Sequence, residues 1–252
     1  MRRLAGSGWG AGATTLWIAT LALMHSTTEY CAPVLCRSVH TRLNIPAIND
    51  ALRIVTGCLR PASADNLPIL AGILPAELRR NGATLSLGRR AMEPGYLLHS
   101  ALNHPSSGDA RRLKSRHPFV PAAQQLISFL TRTTTYLRRS GRIIKWISEW
   151  ADNPTRLRIL ISDTSIHPPG MNLPRRAWVR LNRLRKCARR FCSCLYKWSM
   201  ASSAACECGA EEQTVDHVVL QCPIHRPLCG LHGLTVLDDQ TIECLLNTCP
   251  EI

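Results

Sequence analysis

The sequence predicts a mainly α-helical protein with irregular linkers, one strongly basic amphipathic helix and a small C-terminal module built on cysteine and histidine. Three observations carry this. Apolar residues recur at steps of three or four in several stretches, as they do on one face of a helix. Sixteen prolines and fifteen glycines interrupt those stretches, and cysteine and histidine gather between residues 206 and 222. A hydrophobic fraction of 45% excludes a wholly disordered chain, and 252 residues suffice for one domain or two with a real core.

In chain order, the apolar residues of Thr14 to Met24 predict one buried helix. Pro46 opens an amphipathic run, with Ala47, Ile48, Leu52, Ile54 and Val55 on one side and Gly57 placed to close it. A further helix is expected from Ala76 to about Arg90, with Leu78, Leu85 and Leu87 inward and Arg79, Arg80, Arg89 and Arg90 outward. Residues 101–121 read as a linker, through Asn103-His104-Pro105-Ser106-Ser107-Gly108 and the basic run Arg111 to Arg116. A second linker covers Asp163 to Pro174.

The next helix starts at Asn172 and Pro174 and carries Trp178, Leu181, Leu184, Ala188, Phe191 and Leu195 along one stripe. Around the stripe lie Arg175, Arg176, Arg180, Arg183, Arg185, Lys186, Arg189, Arg190 and Lys197, and no acid stands between Asp163 and Glu207. A solvated helix face usually mixes signs, so that neighbouring turns attract. Nine bases without an acid repel one another unless a polyanion offsets them, which makes these residues candidate nucleic-acid contacts, with Trp198 available to stack on a base.

The whole-chain charge agrees. The formal balance is +14, and it is uneven: residues 206–252 hold eight acids and one base, which leaves 30 bases and nine acids in residues 1–205. All but four of the bases are arginine, whose planar fork suits phosphate. Arg2 and Arg3 before the apolar stretch Leu16 to Met24 look like a short signal peptide, but Thr14, Thr15 and Thr20 interrupt it and no small-residue cleavage site follows. The chain reads as intracellular, nuclear or cytoplasmic.

Cys206, Cys208, His217 and Cys222 form the pattern C-x-C-x8-H-x4-C. Four nitrogen and sulfur donors suit tetrahedral zinc and leave no position open to water, so the implied site is structural. Gly209 permits the tight turn that two nearby thiolates need. On an ideal α-helix, residues five apart point about 140° away from each other. His217 and Cys222 can therefore share a metal only if the helix ends between them, which Pro223 favours. His225 and Cys229 are competing ligands.

No active site is legible. The Asp238-Asp239 pair could be mistaken for a polymerase carboxylate pair, but it stands just before Thr241 to Leu246, where helix capping explains it better. A P-loop, a nucleophile elbow, a dinucleotide fingerprint and a His-Glu-x-x-His motif are all missing from the sequence.

The stretches Leu173-Pro174-Arg175-Arg176-Ala177-Trp178-Val179-Arg180-Leu181-Asn182-Arg183-Leu184-Arg185, Tyr196-Lys197-Trp198 and Cys206-Glu207-Cys208-Gly209 to His217 and Cys222-Pro223 resemble the C-terminal region of reverse transcriptases from non-LTR (LINE, jockey-like) retrotransposons. Upstream, Glu29-Tyr30-Cys31-Ala32-Pro33-Val34, Ala47 to Pro61 and Leu67 to Ile73 resemble the segment that follows the polymerase palm.

The resemblance implies a helical, thumb-like region over residues 1–100 and a linker with a poorly matched segment over 101–171. The basic helix and a zinc-knuckle-like module then occupy 172–252. It also implies that the palm and endonuclease lie outside this chain. Residues 130–147 depart from the family rhythm, as a locally shifted reading frame would, and Cys187, Cys229 and Cys244 stand where the resemblance leads one to expect no cysteine. The expected function is a truncated, non-enzymatic remnant that binds RNA or DNA, with structural zinc on Cys206, Cys208, His217 and Cys222 and with neither a small-molecule substrate nor a membrane as partner. Two alternatives stand beside it: a decayed open reading frame with no retained function, and a fragment of a full-length RNA-directed DNA polymerase.

Overall fold

The computed structural model describes residues 3–6, 8–35, 39–60, 63–100, 123–125, 127–128, 146, 148, 150–152, 156–161, 163, 167–186, 191–225 and 230–247. The protein is mainly helical, as the periodicity predicts. Among the described residues one isolated antiparallel bridge, Ala5 to Gly10, is the sole β feature. The expected linker over 101–121 and most of the 130–147 segment lie outside the described residues, as do Cys187, Arg189, Arg190 and Cys229.

The α-helices whose bounds fall among the described residues are α1 (Ala13–Ala19), α2 (Ser26–Thr28), α3 (Ala32–Leu35), α4 (Ile45–Thr56), α5 (Leu67–Ala71), α6 (Ala76–Ala91), α7 (Arg156–Leu160), α8 (Arg175–Lys186), α9 (Cys192–Lys197), α10 (Gly230–Val236) and α11 (Asp239–Asn247). The chain divides into two compact units. One contains residues 1–20, 50–73 and 150–252; the other contains 21–49 and 74–149. Each unit joins segments far apart in the chain.

The first unit is organised around α8. Trp178, Leu181 and Leu184 are buried with Leu16, Leu52, Val55, Leu67, Leu70, Leu160 and Ile161. The residue that ends α4 is Gly57, as its place in the sequence predicts: its φ is +74°, and its N–H donates to the Arg53 carbonyl at 2.7 Å. Gly72 closes α5 in the same left-handed conformation. At the start of α11 the Thr241 N–H donates to Asp238 Oδ1 at 2.8 Å, so the aspartate stands as a helix cap.

In the second unit, α6 matches its expected span, but Arg80 is buried rather than outward. Arg79 reaches Glu29 with both carboxylate oxygens near its Nε, at 2.8 and 2.9 Å, and Glu29 also pairs with His25 Nδ1 at 2.8 Å. Desolvation by burial raises the Glu29 carboxyl, but these two partners outweigh it and hold the group below its usual value.

The single buried helix expected over Thr14 to Met24 is instead α1 followed by a π-helical stretch, Thr20–His25, with Ile18 and Leu23 exposed. Thr20 Oγ1 donates to the Leu16 carbonyl at 2.8 Å, a local bond that competes with the regular helix ladder. No helix among the described residues is long and apolar enough to cross a membrane.

Candidate metal centre

Two short pieces of backbone bring the predicted ligands together. The first is a tight turn. The Gly209 N–H donates to the Cys206 carbonyl and the Cys206 N–H to the Ala210 carbonyl, both at 2.9 Å, and Gln213 N–H to Ala204 at 2.8 Å closes the loop behind them. Gly209 has φ +93°, a conformation that a side chain would strain. Cys206 and Cys208 thereby face the same side.

The second piece differs from the expected α-helix in a useful way. After Val215 and Asp216 the chain winds as a π-helix over His217–Gln221 and then becomes extended at Cys222. The Cys222 N–H donates to the His217 carbonyl at 2.7 Å, a bond spanning five residues. One π turn therefore returns position 222 to the side of position 217, where an α-helix would separate them. The helix does end at Cys222, as Pro223 predicts, but the wider turn before it is what aligns the pair. Val218 and Val219 are buried and anchor that turn.

The four ligand atoms all lie within 4.8 Å of one another. Cys206 Sγ and Cys222 Sγ are 3.8 Å apart, and Cys208 Sγ is 3.1 Å from His217 Nε2. Tetrahedral zinc, with Zn–S about 2.3 Å and Zn–N about 2.0 Å, separates two sulfurs by about 3.8 Å and a sulfur from a nitrogen by about 3.5 Å. One edge already has that length and the other needs a few tenths of an ångström. The quartet Cys206, Cys208, His217 and Cys222 can hold a metal ion.

The electrostatics agree. Burial pushes the Cys206 thiol up, but hydrogen bonds from the backbone and thiol of Cys208, from Gln213 and from His217 bring it down to about 7. Burial raises the Cys222 thiol, and the neighbouring Cys206 and Cys208 thiols raise it further. Two crowded thiols split in this way because a second negative charge is unfavourable until a cation joins them.

Of the competing ligands, His225 stays outside the quartet. Its Nε2 lies 3.4 Å from Glu207 Oε2, while its backbone N–H donates to Cys222 Sγ at 3.4 Å. Gln213 was not singled out by its spacing, yet it ties the knuckle to α9. Its Nε2 donates to Cys206 Sγ at 3.7 Å, its Oε1 accepts from the Cys192 N–H at 3.0 Å, and its carbonyl accepts from Ser193 Oγ at 2.9 Å.

The candidate nucleic-acid residues are placed otherwise than the helical stripe suggests. The run from Arg175 to Lys197 is not one helix: α8 ends at Lys186, and α9 begins at Cys192 after an extended Phe191. Within α8, four of the arginines point inward. Arg175 donates from Nε to the Gly6 carbonyl at 3.1 Å, from Nη1 to Val55 at 2.7 Å and from Nη2 to Ile54. Arg180 Nη1 donates to Leu245 and Leu246 at 2.6 and 2.7 Å. Arg183 Nε reaches the Gly57 carbonyl at 3.0 Å, and Arg185 reaches Pro169 and Leu234 at 2.8 and 2.9 Å. Trp178 Nε1 and Asn182 Nδ2 add bonds to Val55 and Thr56.

Most of these acceptors are the last carbonyls of α4, α10 and α11, which have no partner within their own helices and carry the negative end of the dipole. The basic face thus serves the ends of three neighbouring helices. Desolvation is the cost: burial lowers Arg185 to about 9, and burial followed by the proximity of Arg183 lowers Arg175 to about 10. Arg176 and Lys197 are exposed, Lys186 is half-buried, and Trp198 is 38% exposed beside the exposed Tyr196.

Compared with known proteins, the chain matches no family model, no curated protein and no solved structure.

Proposed function

We propose that the chain is a non-enzymatic nucleic-acid-binding remnant of a non-LTR retrotransposon reverse transcriptase, with a structural zinc ion on Cys206, Cys208, His217 and Cys222. The observation that carries the reading is the convergence of those four ligand atoms within 4.8 Å. Three sulfurs and an imidazole favour zinc over the harder magnesium and calcium, and four protein donors complete its shell. The resemblance of the flanking segments to that family supports the remainder of the reading, together with the formal charge of +14.

The burial of Arg175, Arg180, Arg183 and Arg185 shifts the nucleic-acid contacts to Arg176, Lys197, Trp198 and Tyr196. Three of these belong to the end of α9, which Gln213 joins to the knuckle. Phosphate contacts make binding salt-dependent, and an exposed aromatic supplies a stacking face that any base fits.

The test has two readouts on the full chain. Purified protein carries one equivalent of zinc; Cys208→Ser or His217→Ala loses it, and cobalt replacing zinc gives the absorption of a tetrahedral thiolate site. Single-stranded RNA binds with an affinity that falls with salt, and replacing both Arg176 and Lys197 by alanine lowers the logarithmic salt slope by about 1.4. Metal-free wild-type protein overturns the ligand assignment. An unchanged slope overturns the interface.

A further inference from the structure

We infer that a cleft at the C-terminal end of α4 is a binding site for a phosphate group. The cleft has a volume of about 390 Å³, in the range of small-ligand sites, and belongs wholly to the first unit. Arg53, Arg60, Arg175 and Arg183 line it, and among its described lining residues Asp50 is the one acid. Asp50 is shared, with Arg53 Nη1 at 3.6 Å and Arg60 Nη2 at 3.5 Å, so one carboxylate faces four guanidinium groups.

A helix C-terminus would ordinarily supply partial negative charge to balance such a cluster. Here much of that charge is taken up by two of the cluster's own arginines, Arg175 and Arg183. The carbonyls of Ile54, Val55, Thr56 and Gly57 accept from Arg175, Trp178, Asn182 and Arg183. The lining thus sets four guanidinium groups against one carboxylate, and two of the four, on Arg175 and Arg183, belong to side chains more than nine-tenths buried. The excess is felt by neighbouring groups. Burial lowers Arg175 and the nearby Arg183 lowers it further, while burial raises the Cys58 thiol against the charges of Lys186, Arg183 and Arg53.

Like charges held together in a partly buried cleft destabilise the fold, and a multivalent oxyanion relieves that repulsion while accepting several N–H bonds. A terminal phosphate fits better than a carboxylate because it brings more charge and three oxygens to a surface that presents several guanidinium forks, and a phosphodiester in a strand offers the same forks two oxygens and one charge. The inference does not rest on the metal centre or on the proposed nucleic-acid interface of α9. The phosphate can belong to a free mononucleotide or to a nucleic-acid strand, and the experiment separates these sources.

Inorganic phosphate is titrated onto the full-length protein by calorimetry and thermal shift, with chloride at matched ionic strength as reference. Saturable binding and a raised midpoint are expected with phosphate alone. Arg60 is 76% exposed, so Arg60→Ala leaves the fold intact and weakens phosphate about two- to fivefold; Asp50→Asn removes the opposing carboxylate and tightens it by a similar factor. Phosphate that displaces a bound single-stranded oligonucleotide assigns the site to a strand, and phosphate that binds without displacing it assigns the site to small phosphates. Phosphate that acts no differently from chloride overturns the inference, as do unchanged affinities in the two well-folded variants.

Discussion

Replacing Arg180 with methionine separates a guanidinium that holds the fold from one that binds a polyanion. Its side chain is 2% exposed, and Nη1 donates to the carbonyls of Leu245 and Leu246 at the end of α11. Methionine keeps most of the volume and the helix propensity, so the loss falls on the hydrogen bonds and the charge. Two charge-assisted bonds contribute about 3–6 kcal/mol, and favourable placement at a helix C-terminus about 0.5 kcal/mol more. Relief from desolvating a buried cation returns several kcal/mol. The net effect is a destabilisation of about 2–3 kcal/mol, which in a chain of this size lowers the thermal midpoint by roughly 5–10 °C.

Circular dichroism melts and equilibrium urea unfolding measure this loss, and single-stranded RNA titration at fixed salt measures the other possibility. The Arg180 variant melts earlier, and its RNA affinity below the melt is unchanged; Arg176→Ala does the reverse. Arg180→Lys recovers only part of the stability, because a single ammonium replaces the planar fork. A variant that melts with the wild type and binds RNA several-fold more weakly refutes the assignment of Arg180 to the interior.

Two other perturbations test the packing on either side of this helix and in the second unit. A Cβ at Gly57 would meet the Val179 side chain at 2.3 to 2.8 Å at a residue whose φ is +74°, so Gly57→Ala destabilises by about 2–4 kcal/mol; adding Val179→Ala recovers at least about 1 kcal/mol in a double-mutant cycle, and strict additivity contradicts the contact. Glu29→Gln removes the carboxylate that pairs with His25 and Arg79 and costs about 1–3 kcal/mol at neutral pH. Because the Glu29 carboxyl titrates below its usual 4.5 in the folded protein, its contribution is complete above that value and is lost as pH falls through the lower, folded one. Wild type and variant therefore converge in stability on acidification, and a constant gap down to pH 2 contradicts this.

Much of the helical framework was legible because it depends on neighbours in sequence. The amphipathic run ending at Gly57 and the span of α6 follow from periodicity and from a residue that tolerates positive φ. The metal quartet was legible because its spacing is local, down to the helix end before Pro223. The inward turn of the basic face was not legible. Arg175 finds carbonyls 120 residues away and Arg180 finds them 65 residues away, and nothing in the 175–186 segment names those acceptors. Its pattern of bases without acids has two physical solutions, a polyanion outside or a set of helix ends inside, and the folded chain uses the second for four of them. The π turn at His217 escaped for a related reason: composition distinguishes helix from loop, but not the width of the turn.

The metal quartet and the exposed aromatic edge are mechanically one object. A helix of six residues such as α9 has too few internal bonds to persist alone, so its position depends on what grips its first turn. That grip is Gln213, which accepts from the Cys192 N–H and from Ser193 Oγ while donating to the sulfur of Cys206. Drawing Cys206 and Cys222 around a cation fixes the turn that carries Gln213, and through it the start of the helix that ends in Tyr196, Lys197 and Trp198. An ion held by the quartet would then govern how Tyr196, Lys197 and Trp198 are presented without touching them.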